Sequence, residues 1–127
     1  MLERDSVNRV RLSQSFSLDE FQSPDTCQVI IHPILLVRLQ ALHDKLGVPI
    51  KINSGYRTRK RNEEVQGSEN SFHLYGMAAD IIVPILDRLV VARSAVEVGF
   101  NGVITYKDKP HIHVDIRPLE NKFIDIQ

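Results

Sequence analysis

Phe100-Asn101-Gly102-Val103-Ile104-Thr105-Tyr106 and His111-Ile112-His113-Val114-Asp115-Ile116 are two runs of strand character separated by Lys107-Asp108-Lys109-Pro110. The separator has turn chemistry and a length suited to a hairpin, so the pair predicts two antiparallel strands. In the second run a period of two sets His111, His113 and Asp115 on one face and Ile112, Val114 and Ile116 on the other. One face is core and the other is polar. Upstream, Ala78 to Val83 reads as a strand stopped by Pro84, and Leu86, Leu89, Val90 and Val96 mark an amphipathic helix closed by Gly99. Val48 to Asn53 alternates as a short strand, and Ser54-Gly55 breaks it into a polar segment in which residues 59 to 66 form a short exposed helix. Before it, Pro33 suits a first helical position, Leu35, Leu39, Leu42 and Leu46 recur at helical steps, and Gly47 terminates the run. Ser17 to Glu20 has the form of a capping box opening a short helix. This order of elements predicts an α+β fold: a small, mostly antiparallel sheet with helices packed on one side.

The whole chain, 127 residues and 14.5 kDa, has the size of a single domain. Residues 1–16, polar and without a period, read as an N-terminal arm ordered in part by docking. Hydrophobic residues at 43% and charged residues at 25% exclude wholesale disorder. Sixteen basic residues balance sixteen acidic ones, which argues against a nucleic-acid partner held by bulk positive charge. The single cysteine, Cys27, can form neither an intrachain disulfide nor a thiolate zinc cage, so any metal must be held by His and carboxylate. No membrane segment is expected, because no apolar stretch approaches the roughly 20 residues that cross a bilayer. The N-terminal residues lack the apolar middle of a signal peptide, so synthesis in the cytoplasm is expected.

Asp80 falls inside the apolar run Ala78 to Val83, where a carboxylate must be paired, hydrogen-bonded or bound to a cation. With His73 and His113 it would supply two imidazole nitrogens and one carboxylate oxygen, a set that suits zinc and leaves the fourth tetrahedral position for water. Arg57, Arg59, Lys60 and Arg61 form a basic cluster; apart from Arg57 they read as a solvated helix face. His32 and His43 lack partners at metal spacing and read as structural, and Cys27 as an inert thiol.

These segments resemble the M15 family of zinc peptidases, the D-alanyl-D-alanine carboxypeptidases and related peptidoglycan hydrolases. Ser71 to Asp80 is similar to the family's Ser-x-His-x-x-Gly-x-Ala-x-Asp segment at every specified position. Ser54-Gly55-Tyr56-Arg57 resembles its Ser-Gly-Tyr-Arg, and His113-Val114-Asp115-Ile116-Arg117 its closing His-Val-Asp element. Phe16 to Phe21 is similar to the opening of one small branch, so the likeness runs over about residues 16–118. The resemblance implies a hedgehog/D-Ala-D-Ala-peptidase-like fold, one Zn2+ per chain held by His73, Asp80 and His113, and Arg57 near the substrate. Some relatives carry a Glu-x-x-His general base, but Pro110 stands at that position, whereas His111-Ile112-His113 resembles the branch with His-x-His. The catalytic base is then His111 or an assisted water; the alternative for His111 is an ordinary exposed hairpin residue. Asp115 and Ser71 are expected behind the ligands, orienting them.

The expected function is hydrolysis of a peptide bond in peptidoglycan stem peptides or cross-links by metal-activated water, with a monomer favoured. The alternative is a zinc-containing binding module of the same fold without catalysis. Because peptidoglycan lies outside the membrane, an extracytoplasmic site of action is expected, and the absent export signal favours phage or prophage origin.

Overall fold

A computed structural model describes residues 7–127. The outer part of the expected N-terminal arm, residues 1–6, lies outside the described residues. The remainder of the arm docks: Asn8 is buried, and its side-chain amide donates to Gln22 Oε1 at 2.8 Å and to the Cys27 carbonyl at 2.7 Å. Phe16, at the arm's end, is 1% exposed and belongs to the core.

Ser17 and Glu20 form the expected capping box over a 3-10 turn, Leu18–Phe21, with the Ser17 amide donating to Glu20 Oε2 at 2.8 Å. Helix α1 spans Pro33–Leu46; the His32 Nδ1 accepts the Ile34 amide, and Gly47 ends the helix with a φ of 69°. Leu35, Leu39 and Leu42 are buried along one stripe of it. Strand β1 (Lys51–Ser54) follows, then the short helix α2 (Arg59–Glu64), a 3-10 turn (Phe72–Tyr75) and strand β2 (Ala78–Ile82). Helix α3 (Arg88–Glu97), strands β3 (Gly102–Ile104) and β4 (Ile112–Asp115), and strand β5 (Phe123–Asp125) complete the chain. Among the described residues no helix is long and apolar enough to cross a membrane.

The five strands lie in the order β1-β2-β4-β3-β5. All neighbours are antiparallel except β3 and β5, which pair in parallel. The hairpin forms as expected, with Gly102 opposite Asp115 and Ile104 opposite His113. Strand β5 was not foreseen, because three residues following Pro118 carry too little alternation to register as a strand. Helix α3 presents only part of the face its sequence suggested: Val96 packs against the core, and so does Leu86 just before the helix. Leu89 and Val90 are exposed, while Val91, Ala92 and Ala95 are buried in the core. The phase is set by Asp87, whose Oδ1 accepts the Leu89 amide at 2.8 Å and starts the helix at Arg88. The small side chains at 92 and 95 then let the helix backbone approach the sheet.

Sheet pairing decides where the chemistry lies. Strand β2 sits between β1 and β4, and Asp80 is opposite His113 in the β2–β4 register. Along β4, Ile112 and Val114 enter the hydrophobic core, so the period of two turns His113 and Asp115 to the other face.

Candidate metal centre

Among the described residues, His73, Asp80 and His113 each offer one ligand atom, all within 4.8 Å of one another, and all three are buried. Asp80 and His113 come from adjacent strands. His73 comes from the 3-10 turn that precedes β2, where Ser71 Oγ accepts the His73 amide at 3.2 Å. Gly76 ends that turn with a φ of 69°, and a Cβ there would overlap the Ile30 carbonyl, so only glycine brings the turn back into β2 at this spacing.

Both imidazoles are fixed by acceptors behind them. His73 Nδ1 lies 2.7 Å from the Gly55 carbonyl, which accepts and cannot donate, so Nδ1 carries the hydrogen. His113 Nε2 lies 2.7 Å from Asp115 Oδ2, and an ionised carboxylate likewise only accepts. In the neutral rings the lone pairs therefore fall on His73 Nε2 and His113 Nδ1. These two atoms face the same carboxylate oxygen, Asp80 Oδ1, at 3.3 and 3.2 Å. Three acceptors meet at one point, and only added protons or a cation reconcile them. The separations match those of tetrahedral zinc, where bonds of about 2.0–2.1 Å set neighbouring donors roughly 3.4 Å apart.

Charge in the cluster follows from these contacts. Burial opposes ionisation of Asp80, but hydrogen bonds from His113 and His73 outweigh it and hold the carboxyl far below the ordinary range. His113 shows the reverse balance: burial disfavours its cation, while hydrogen bonds to Asp115 and Asp80 raise its pKa above the usual value. Asp115, fully buried, is kept ionised by Arg117 and His113 against its desolvation.

The other expected residues converge on the same place. Arg57 donates from Nη2 to the second Asp80 oxygen, Oδ2, at 3.0 Å. Its remaining contacts hold the fork in plane: Nε to Ser54 Oγ at 3.2 Å and Nη1 to Asn62 Oδ1 at 3.2 Å. His111 precedes β4, and its Nε2 stands 3.9 Å from Asp80 Oδ2. Burial lowers the His111 pKa, so the ring is neutral near pH 7 and able to accept a proton. Arg59 and Lys60 stay on the exposed side of α2, as expected of a solvated face. His32 caps α1, and His43 packs edge-on against Phe16, so both are structural.

Sequence reasoning passed over three neighbours. Asn62 is 4% exposed and ties Arg57 to the Ser68 carbonyl, but in sequence it is one polar residue on a polar helix. Tyr106 packs edge-to-face on His111 with ring centroids 5.2 Å apart, and burial raises its pKa so that the phenol stays protonated. Arg117 forks onto Asp115. The cluster opens into a groove of about 750 Å³ whose walls include Arg57, Phe72, Tyr106, Lys109 and His111.

The profile of a family described as peptidase M15 matches residues 11–115. A zinc D-Ala-D-Ala carboxypeptidase of Streptomyces albus G is 33% identical over 72 residues, covering 56% of this chain and 28% of the relative. The aligned region thus spans under a third of that protein's length.

Proposed function

The chain belongs to the peptidase M15 family, and from that premise we propose that it is a zinc-dependent peptidase hydrolysing a peptide bond in peptidoglycan stem peptides or cross-links. The observation that carries the proposal is the meeting of His73 Nε2, His113 Nδ1 and Asp80 Oδ1 at the floor of an open groove, with the far nitrogen of each ring already engaged. The D-Ala-D-Ala substrate named for the Streptomyces relative supports peptidoglycan peptides as the substrate class.

His73, Asp80 and His113 would hold the zinc, which when bound supplies Lewis acidity towards a carbonyl and towards water. The protein's own groups do the rest. His111, neutral and facing the cluster through Nε2, takes the proton from the attacking water at that atom and returns it to the leaving amine. Arg57, held in plane by Ser54, Asn62 and Asp80, keeps N–H groups to direct at the carbonyl oxygen as it gains charge, or at a substrate carboxylate. The protonated Tyr106 hydroxyl adds a neutral donor on the same wall.

The test is mass spectrometry of the products from purified peptidoglycan and defined stem peptides, run on the zinc-loaded protein, after chelation, and after zinc is restored. Cleavage that stops on chelation and returns with zinc is the expected result. A protein that binds zinc but cleaves no cell-wall peptide is instead a binding module.

A further inference from the structure

Asp115 is the most enclosed charge among the described residues, at 0% exposure, and every one of its acceptor positions is used. Oδ1 accepts the Arg117 amide at 3.0 Å and Arg117 Nε at 2.9 Å. Oδ2 accepts Arg117 Nη2 at 2.6 Å and His113 Nε2 at 2.7 Å. The space for this carboxylate is made by Gly102 on the facing strand, where a Cβ would overlap both oxygens. Held this way, the carboxylate can neither rotate nor offer a hydrogen, so in the neutral ring His113 Nε2 is the donor and Nδ1, which faces Asp80, carries the lone pair.

The guanidinium itself lies over two rings, 5.0 Å from the centre of Phe72 and 5.7 Å from that of Phe123. Phe72 is the neighbour of His73, and Phe123 begins β5. One side chain therefore touches the turn that carries the first metal-facing histidine, the carboxylate that orients the second, and the edge strand. Both Arg117 and Phe123 lie beyond the 11–115 region that matches the family.

We propose that Arg117 is a positioning residue for the metal centre: its planar fork, in contact with Phe72 and Phe123, fixes Asp115 and thereby aims His113 Nδ1 at the metal. This rests on His73, Asp80 and His113 being the zinc site. A lysine could supply the charge but not the two parallel N–H bonds, so charge and orientation are separable by substitution.

The experiment compares the wild type with Arg117→Met and Arg117→Lys in three measurements: zinc affinity by chelator competition, the visible absorption of the cobalt(II) form, and thermal melting. Arg117→Met is expected to bind zinc about 10- to 100-fold more weakly, as losses behind metal-bound histidines generally do, with a changed cobalt spectrum. Arg117→Lys is expected to melt close to the wild type yet remain several-fold weaker for zinc. Wild-type affinity and spectrum in a folded Arg117→Met protein overturn the proposal, whatever its melting temperature. If the methionine variant does not fold, the lysine variant decides, and wild-type zinc affinity there overturns the proposal equally. A wild type that binds no zinc overturns the metal reading and this inference together, whereas normal wild-type binding with unaffected variants overturns the inference alone.

Discussion

At the scale of single residues, Asp80 concentrates more interactions than any other side chain in the site. It faces His73, His113, Arg57 and His111 at once. Asp80→Ala is therefore expected to lose zinc and activity together, and to leave the half-buried Arg57 guanidinium without its counterion, so a lowered melting temperature should accompany the loss measured by elemental analysis. His111→Ala should behave in the opposite way. It makes only a distant contact to the cluster, so zinc content and melting should hold while kcat falls by roughly 10²- to 10⁴-fold. Because burial lowers the His111 pKa, the acidic limb of the wild-type pH-rate profile is expected below the ordinary histidine value of about 6.5, and to disappear in the variant. A variant with the wild-type rate and limb would remove His111 from the mechanism. Arg57→Ala should lower kcat and also loosen zinc to a smaller degree, since Nη2 grips Asp80 as well as facing the groove.

The elements explain why some of this was readable in advance. Helix α1 and the hairpin were legible because each carries a long or strict apolar period, Asp80 and His113 because an aspartate in an apolar strand and alternate histidines demand a reason, and His73 only through the family-like segment from Ser71 to Asp80. Residues outside a pattern were not legible. The exposure of Leu89 and Val90 depends on where Asp87 starts α3, a shift of phase that composition does not carry. Asn62 and Arg117 acquire their roles only when α2 and β5 are packed in place. The β3–β4 register has its own test. Gly102→Ala forces a methyl group into the Asp115 carboxylate, so a loss of about 1–3 kcal/mol in urea unfolding is expected, together with weaker zinc binding. A neutral outcome would mean that β3 can slide without disturbing Asp115.

For the whole molecule, stability, acidity and metal are linked. Asp80 and Asp115 are depressed in the folded state, so their contribution is present above the unfolded carboxylate value of about 4 and is lost as the pH falls through the folded values. His113 is raised, so in the metal-free protein its contribution is full below about 6.5 and is lost as the pH rises through its folded value. Zinc needs the deprotonated ring and stabilises the fold according to its free concentration over Kd. Melting curves from pH 5 to 8.5 should thus show the metal-free protein weakening as the pH climbs, while the rise in melting temperature on adding zinc grows. A zinc effect independent of pH would contradict protonation of His113. The position of β5 bears, finally, on biosynthesis. A ribosome has delivered all three metal-facing residues once it has passed His113, but Phe123 emerges later still, and the β3–β5 pairing can only follow. A nascent or prematurely released chain ending before Phe123 would own every ligand and lack one of the two rings against Arg117. Under the positioning role proposed for Arg117, such a truncated product is expected to bind zinc more weakly than a chain that carries Phe123.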